Sequence, residues 1–317
     1  MGNKNMNKAQ KNKKDEFYTQ LSDIEKELNN YKPQFRGKTV YCNCDTLQSN
    51  FWRYFYHNYH KLGLKGLIAS HIDYGEGAYS YEYDGNKVSK TPLETGDFRS
   101  EECLKLLEQV DIVCTNPPFS LFREYVSQLM EYKKQFLIIG NFNAVSYKEI
   151  FPLIKGDEIR LGYTANKTIE FELAKDYGKW NRVENSIKYG KVPSITWFTN
   201  LYVEKVDQSI KLTKTYKGNE HLYPKYDNYN AIEVSKVTNI PKDYEGIMGV
   251  PITFLTKHNP NQFKILGTQR WSKSKELLDQ YTGDVEPPEN DKKTLINGKE
   301  TYDRVFIIKK ENENETI

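Results

Sequence analysis

The stretch Asp111-Ile112-Val113-Cys114-Thr115-Asn116-Pro117-Pro118-Phe119-Ser120 constrains this chain more than any other. Ile112 and Val113 fit a short buried strand that follows a helical segment over 101–110. The strand must stop at Pro117-Pro118, because neither ring can donate to a central ladder. Beyond it, Ser120 suits an N-cap, and Leu121, Tyr125 and Leu129 share one face of the next helix. A strand that ends in Asn-Pro-Pro and feeds a helix lies at the carboxyl edge of an open α/β sheet, where ligands bind. Asn-Pro is also a common turn starter, so the flanking strand and helix carry the functional reading.

Each residue type there has a chemical use. The Asn116 amide oxygen and the Pro117 carbonyl can both accept from an exocyclic amino group, which leaves the nitrogen lone pair facing an electrophile. Pro117-Pro118 has fixed φ angles and holds its carbonyls in place before a substrate arrives. Phe119 offers a flat face to a base, a stacking contact worth about 1–3 kcal/mol.

A chain of 317 residues can bury a large core and suggests one large domain plus a smaller one. No apolar run reaches the ~18 residues of a membrane span. The first residues are polar and basic, unlike a signal peptide. Four cysteines in this length do not read as a disulfide framework, so a cytoplasmic protein is expected. The net charge of +3 says little, but its distribution says more. Residues 1–14 hold Lys4, Lys8, Lys11, Lys13 and Lys14 and no acid, and read as a basic disordered tail. Such a tail is either solvated or adds phosphate contacts on nucleic acid.

In chain order, residues 15–31 show a helical repeat (Phe17, Leu21, Ile24, Leu28). A strand at 39–44 and an aromatic-rich helix at 49–62 form the first βα unit. Its turn, from Cys42 and Asn43 through Asp45 to Ser49, contains no glycine, unlike most nucleotide folds. Asp45 can pair with a cationic ligand group. Cys42 and Cys44 have no second Cys or His pair at ligand spacing, so no metal is expected. The next strand, 66–72, ends near Ser70 and Asp73, either of which can hold a ribose, and His71 reads as structural. Tyr79, Tyr81 and Tyr83 alternate ahead of Asp84-Gly85 and predict a packing hairpin. Strands are also expected at 136–140, 158–163 and 194–203, and Ser146–Glu149 reads as a capping box opening a helix over 147–154. The pattern is α/β, a mostly parallel seven-stranded sheet in a three-layer sandwich. Residues 164–193 read as an inserted loop that interleaves cations, Lys167 and Arg182 among them, with aromatics, as a nucleic-acid face would. Trp197, in the last strand, serves either as core or as a clamp on a flipped base. After residue 204 the pattern loosens into a smaller mixed region.

Asn116-Pro117-Pro118-Phe119 resembles the catalytic motif of S-adenosylmethionine-dependent amino-methyltransferases. Together with Asp15-Glu16-Phe17-Tyr18-Thr19-Gln20, Gly96-Asp97-Phe98-Arg99-Ser100 and the run from Gly246 to Leu255, the chain resembles the EcoRI-type adenine-specific DNA methyltransferases from about residue 15 to 267. The resemblance implies a Rossmann-like methyltransferase fold, with a catalytic domain over 15–204 and a target-recognition region over 205–317. It implies S-adenosylmethionine as cofactor and a flipped adenine of duplex DNA as substrate. The expected catalytic residues are Asn116, Pro117, Pro118 and Phe119. The expected cofactor residues are Tyr18 and Thr19 closing the methionine end, Cys42, Asn43 and Asp45 in the first turn, Ser70 at the ribose, Asp97 and Phe98 at the adenine, and Asn116. Phe119, Trp197, Lys167 and Arg182 are the expected base or DNA contacts. The implied role is protection of DNA from a restriction endonuclease without a stable complex. The alternatives are transfer to RNA or a protein glutamine, or a non-catalytic DNA-binding protein of the same fold.

Overall fold

The computed structural model describes residues 18–73, 75, 77–165, 167, 169–173, 181–191, 194–204, 208–269, 273–282 and 294–310. The tail at 1–14 lies outside them. The chain forms two compact units, one from the described residues of Met1–Ala144 and Ile159–Val203, the other from those of Val145–Glu158 and Glu204–Ile317.

In the first unit the chain runs through β1 (Tyr18–Thr19), α1 (Leu21–Leu28), β2 (Thr39–Asn43), α2 (Asn50–Leu62), β3 (Gly66–His71), β4 (Ala78–Tyr83) and β5 (Val88–Leu93). It continues through α3 (Glu101–Glu108), β6 (Ile112–Thr115), α4 (Phe122–Glu131) and β7 (Gln135–Asn141). After the segment that belongs to the second unit come β8 (Arg160–Leu161), β9 (Glu170–Leu173), β10 (Arg182–Glu184), β11 (Ile187–Lys191) and β12 (Ile195–Thr199).

Local chemistry sets these bounds. Ser49 caps α2 by accepting from the Trp52 N–H at 3.2 Å, and Gly63 ends it at φ +65°. The buried stripe of α2 is aromatic: Phe51, Trp52, Phe55 and Tyr59. Ser100 caps α3 in the same way, with Glu101 and Glu102 in its first turn. β2, β6 and β7 are apolar nearly throughout, as strands covered on both faces must be.

Eight strands form the main sheet in the order β5-β4-β3-β2-β6-β7-β12-β8. Its centre, β3-β2-β6-β7, is parallel. The β4–β5 hairpin adds antiparallel strands at one edge, and β12 and β8 at the other. The molecule is thus mixed α/β with one large mixed sheet, and among the described residues that sheet has eight strands, not the seven expected. The chain goes from β2 to β3 on one side, then returns past β2 to β6 on the other. The strand order therefore reverses between β2 and β6, which makes the crevice beyond their carboxyl ends the place for a ligand.

Four expectations need correction. The helix expected over 15–31 begins only at Leu21; Tyr18–Thr19 are a strand because they pair with Phe171 and Glu172. The inserted residues 164–193 are no mere loop: β9, β11 and β10 join β1 in a four-stranded antiparallel sheet. Ser120 caps nothing, since Leu121 N–H bonds back to the Pro118 carbonyl at 3.0 Å and closes a 3₁₀ turn before α4 starts. The box at Ser146–Glu149 opens no helix. Pro152, in the first turn, favours a later start, and the helix there, α5, is Phe151–Lys155.

The second unit contains α5, β13 (Ala231–Glu233), β14 (Ile247–Pro251), β15 (Phe263–Thr268), α6 (Lys275–Leu278), β16 (Leu295–Ile296), β17 (Lys299–Glu300) and β18 (Arg304–Lys309). Its sheet has the order β13-β14-β18-β15. Tyr226, Tyr229, Leu266, Leu277 and Phe306 form its core. Inside it, Arg304 grips the Glu233 carboxylate through two nitrogens, and the Tyr226 hydroxyl bonds to the same carboxylate. A Cβ on Gly249 would lie 2.1 Å from that hydroxyl, so only glycine fits there. No helix among the described residues is long and apolar enough to cross a membrane.

Candidate active site

β2 and β6 each deliver one side chain to the crevice between them. The chain leaves β2 through Cys44 at φ +68°, the left-handed region that glycine usually supplies, so the turn is made without glycine. Asp45 follows, nearly buried, and its carboxylate accepts from the Thr115 hydroxyl at 2.6 Å. Thr115 is the last residue of β6, so this bond ties the two strand ends together directly before Asn116. The Thr115 hydroxyl also contacts the Asn43 carbonyl.

Over these ends lies a cavity of about 670 Å³. That size suits a cofactor-sized ligand. Asp45, Asp97, Phe98, Asn116, Pro117 and Pro118 all line it. So does Thr19, whose backbone carbonyl accepts from Asn50 Nδ2 at 2.8 Å. The Thr19 hydroxyl is buried and has no hydrogen-bond partner among the described residues, so it is available to a ligand.

The Gly96–Ser100 loop brings Asp97 and Phe98 to the same cavity. Gly96 has φ +64°, and a Cβ there would lie 2.1 Å from the His71 carbonyl oxygen, so the loop can pass β3 only with glycine at this point. Glu102 grips the loop from α3, accepting from the N–H groups of Glu94, Thr95 and Gly96 at 2.8–2.9 Å. Arg99 donates to both Asp97 oxygens, at 2.8 and 2.7 Å. That guanidinium holds the Asp97 carboxyl below its ordinary range. Phe98 is buried edge-to-face against Tyr125, ring centroids 4.9 Å apart. Replacing Asp97 by Ala is expected to raise the cofactor dissociation constant about 5- to 150-fold, the 1–3 kcal/mol of a donor left without its acceptor. DNA affinity is expected to hold; unchanged cofactor affinity by calorimetry would move the adenine site elsewhere.

Other expected site residues lie elsewhere. Ser70 is fully buried between β2 and β3, with the Tyr41 hydroxyl at 2.6 Å and Asn43 Oδ1 at 3.3 Å. Cys42 and Asn43 are buried in β2, where burial pushes the Cys42 thiol far up. None of the three lines the cavity; each is directed by strand alternation into packing. Trp197 is fully buried, edge-on to Phe51, which makes it core rather than a surface clamp. Phe119 is half-buried in the 3₁₀ turn and is not part of the cavity lining. The Tyr18 side chain lies outside the description. Lys167 is exposed, and Arg182 pairs with Glu170 and Glu184 while its guanidinium lies 3.9 Å above the Tyr189 ring. Neither lines the cavity.

The sequence assigns no site role to Thr115, Arg99, Ile72 or Lys90, and it marks His71 as structural and Asn50 as part of a helix cap, whereas both line the cavity. Thr115 adjoins the Asn-Pro-Pro run, and a β-branched hydroxyl at a buried strand end was the available signal. For Lys90 the signal was the hairpin register, which sets it opposite Tyr81.

A sheet whose order reverses under a cavity of this size, with Asp45 past one strand end and Asn-Pro-Pro at the next, is that of an α/β protein with a ligand crevice at its switch point. The comparisons narrow the class. Residues 5–310 match the family described as adenine-specific methyltransferase EcoRI. The Type II methyltransferase M.EcoRI of Escherichia coli is 43% identical, over 97% of this chain and 97% of its own length. M.MgeORF184P of Mycoplasma genitalium and M.MpnI of Mycoplasma pneumoniae, both Type II methyltransferases, are each 40% identical over 96% of this chain and 98% of their own. No solved structure matches the chain. The chain belongs to the EcoRI family of adenine-specific methyltransferases.

Proposed function

We propose that this protein transfers a methyl group from S-adenosylmethionine to N6 of a flipped adenine in duplex DNA, at the target site of a restriction–modification system. The observation that carries the reading is Asn116-Pro117-Pro118 opening into the same cavity as Asp45 and Asp97. The residues present fit the cofactor. Asp45 suits a cationic sulfur or ammonium group, the Thr19 hydroxyl is buried with no partner among the described residues, and Asp97 with Phe98 offers an acceptor and an apolar face for adenine. S-adenosylmethionine supplies a methyl group on a sulfonium, a leaving group that is already activated.

The chain's own part is orientation. The Asn116 amide oxygen and the Pro117 carbonyl accept the two amino hydrogens of the target base and aim its lone pair into the cavity. Pro118 and the β6 end hold both acceptors rigid, so little reorganisation remains at the moment of transfer. Phe119, next to them, offers a ring to the extruded base, whose unstacking costs a few kcal/mol. Cytosine N4 has the same donor geometry, so family membership supports adenine.

In this reading the first unit is a Rossmann-like catalytic domain, and the region over 205–317 reads the target. Lys167 and Arg182 on the inserted segment face DNA. The enzyme works in the cytoplasm and shields sites from a cognate endonuclease without a stable complex. Tritium transfer from labelled cofactor to duplex DNA, RNA and protein tests this; label in RNA or protein alone would overturn it.

The tail gives a second measurement. Each phosphate neutralised contributes a slope of about −0.9 in log K against log salt. If two to four of its five lysines touch phosphates, removing residues 1–14 is expected to make the salt dependence of DNA binding shallower by about 2–4 units of slope. The catalytic rate at saturating DNA is expected to stay the same. An identical slope would show that the tail makes no phosphate contact.

A further inference from the structure

Nucleotide-binding sheets commonly hold the ribose diol with an acid at the end of the second parallel strand. Here that strand is β3, and its acid is otherwise engaged. One Asp73 carboxylate oxygen accepts from the Gly75 and Gly77 N–H groups at 2.6 and 2.8 Å, and Asp73 is not part of the cavity lining. What lines the cavity beyond β3 is instead His71, Ile72, Tyr79, Tyr81 and Lys90. Tyr79 and Tyr81 stand on β4, and Lys90 on β5 directly opposite Tyr81. The Lys90 Nζ lies 3.5 Å from the Tyr79 ring centroid. No carboxylate pairs with Lys90 among the described residues, whereas Arg99, the other lysine or arginine in the lining, is locked to Asp97.

The cavity therefore has opposite charge at its two ends. Asp45 sits past the β2 end, while Lys90 stands on β5, two strands out from β3 and level with Ala69, with its Nζ over Tyr79, the register partner of His71 at the end of β3. Sheet order places β3 on the side of β2 away from β6 and Asn116, so Lys90 is remote from the target base.

We infer that Lys90, steadied on the face of Tyr79, is the ribose-facing group of the cofactor site, a cation donor where such sheets usually place a carboxylate acceptor. The inference rests on the cavity being the S-adenosylmethionine site. With adenine at Asp97–Phe98 and the sulfonium toward Asp45, the ribose hydroxyls meet the β3 end, and Lys90 donates to them. Tyr79 contributes a flat wall. The specificity consequence is distinctive. A carboxylate would repel an anionic group on the 2′ or 3′ oxygen, and a lysine attracts one. Near Asp45 an anionic group on the 5′ side is repelled.

The test is displacement of labelled S-adenosylmethionine from the full chain by adenosine, 2′-AMP, 3′-AMP and 5′-AMP. The expected order is 2′-AMP or 3′-AMP tighter than adenosine by about threefold, the strength of one exposed ion pair, and 5′-AMP weaker than adenosine. Lys90→Ala is expected to erase the advantage of the 2′ and 3′ isomers and leave the 5′ penalty intact. Lys90→Glu is expected to invert that advantage. A wild-type protein that prefers adenosine to both isomers, or a Lys90→Ala variant that keeps their advantage, would overturn the inference while leaving the cofactor site in place. Failure of the wild type to bind labelled cofactor at all would instead overturn the cofactor reading, and this inference with it.

Discussion

Asn116→Ala is expected to lower the rate of methyl transfer about 10²- to 10³-fold, the size of effect seen when one preorganised hydrogen-bonding group is taken from a transition state. The loss should appear in single-turnover transfer from labelled cofactor at saturating DNA. Dissociation constants for cofactor and DNA should change little, because Asp45, Thr19, Asp97 and Phe98 stay in place around the cavity. Asn116 follows Thr115, whose hydroxyl is bonded to Asp45, so the amide is carried by a strand end that is tied to the neighbouring strand end. Pro117 and Pro118 then remove the backbone freedom that would let it drift. Asn116→Asp retains an acceptor oxygen at the same reach and should keep more activity than Ala. Near-normal turnover in the Ala variant would remove Asn116 from the mechanism.

How much of this was legible in the sequence depends on which force set each feature. β2, β3, β6 and β7 were readable because a parallel core demands nearly continuous apolar runs, and the β4–β5 hairpin because Asp84-Gly85 directly follows the alternating tyrosines. The cavity residues that end those strands, Asp45 and Asn116, followed from strand stops alone. Ser70 misled for a reason that spacing cannot show. A one-residue change of phase on a strand turns a side chain to the other face of the sheet: Ser70 packs against Tyr41 and Asn43, while His71, one residue on, lines the cavity. Trp197 is similar: a strand buried on both faces has no outward side for a base. The glycine-free turn at Cys44 was visible as an absence, yet only the backbone shows that cysteine itself takes the left-handed angle. Pairings between distant segments were the least readable. Nothing near Tyr18 announces a partner at Phe171 and Glu172, because strand pairing depends on backbone groups that every sequence has.

The turn that leads from β8 toward that pairing is held by one buried carboxylate, and its removal is expected to be strongly destabilising. Glu27 on α1 is fully buried. It accepts from the Tyr31 hydroxyl at 2.8 Å, the Tyr163 N–H at 2.7 Å, and the Thr164 N–H and hydroxyl at 2.8 and 2.6 Å. These are the residues that lead from β8 into the inserted sheet, and the neighbouring Gly162 has no room for a Cβ, which would lie 2.2 Å from Glu27 Oε1. Glu27→Ala takes the shared acceptor from four donor groups, three of them buried. Breaking such a network costs about 3–5 kcal/mol. In a unit of this size that is a fall of about 6–20 °C in melting temperature. Glu27→Gln keeps one acceptor oxygen but turns an NH₂ against the remaining donors, so it should fall between Ala and wild type. The exposed Lys26–Asp23 pair on the same helix provides the contrast, since breaking it should cost under about 1 kcal/mol. Burial, with the Glu27 carboxylate beside it, pushes the Tyr31 phenol far above its ordinary value of 10.0. The folded state therefore favours the neutral phenol, and this contribution is complete below about pH 10 and lost as pH rises beyond it. The loss should also reach the cavity. β9 pairs with β1, and β1 carries Thr19, so a loosened turn at Tyr163–Thr164 should raise the cofactor dissociation constant in Glu27→Gln even where the protein stays folded. Urea unfolding and cofactor titration of the same variant check both halves, and a Glu27→Ala protein as stable as Lys26→Ala would show that this carboxylate does not hold the insertion.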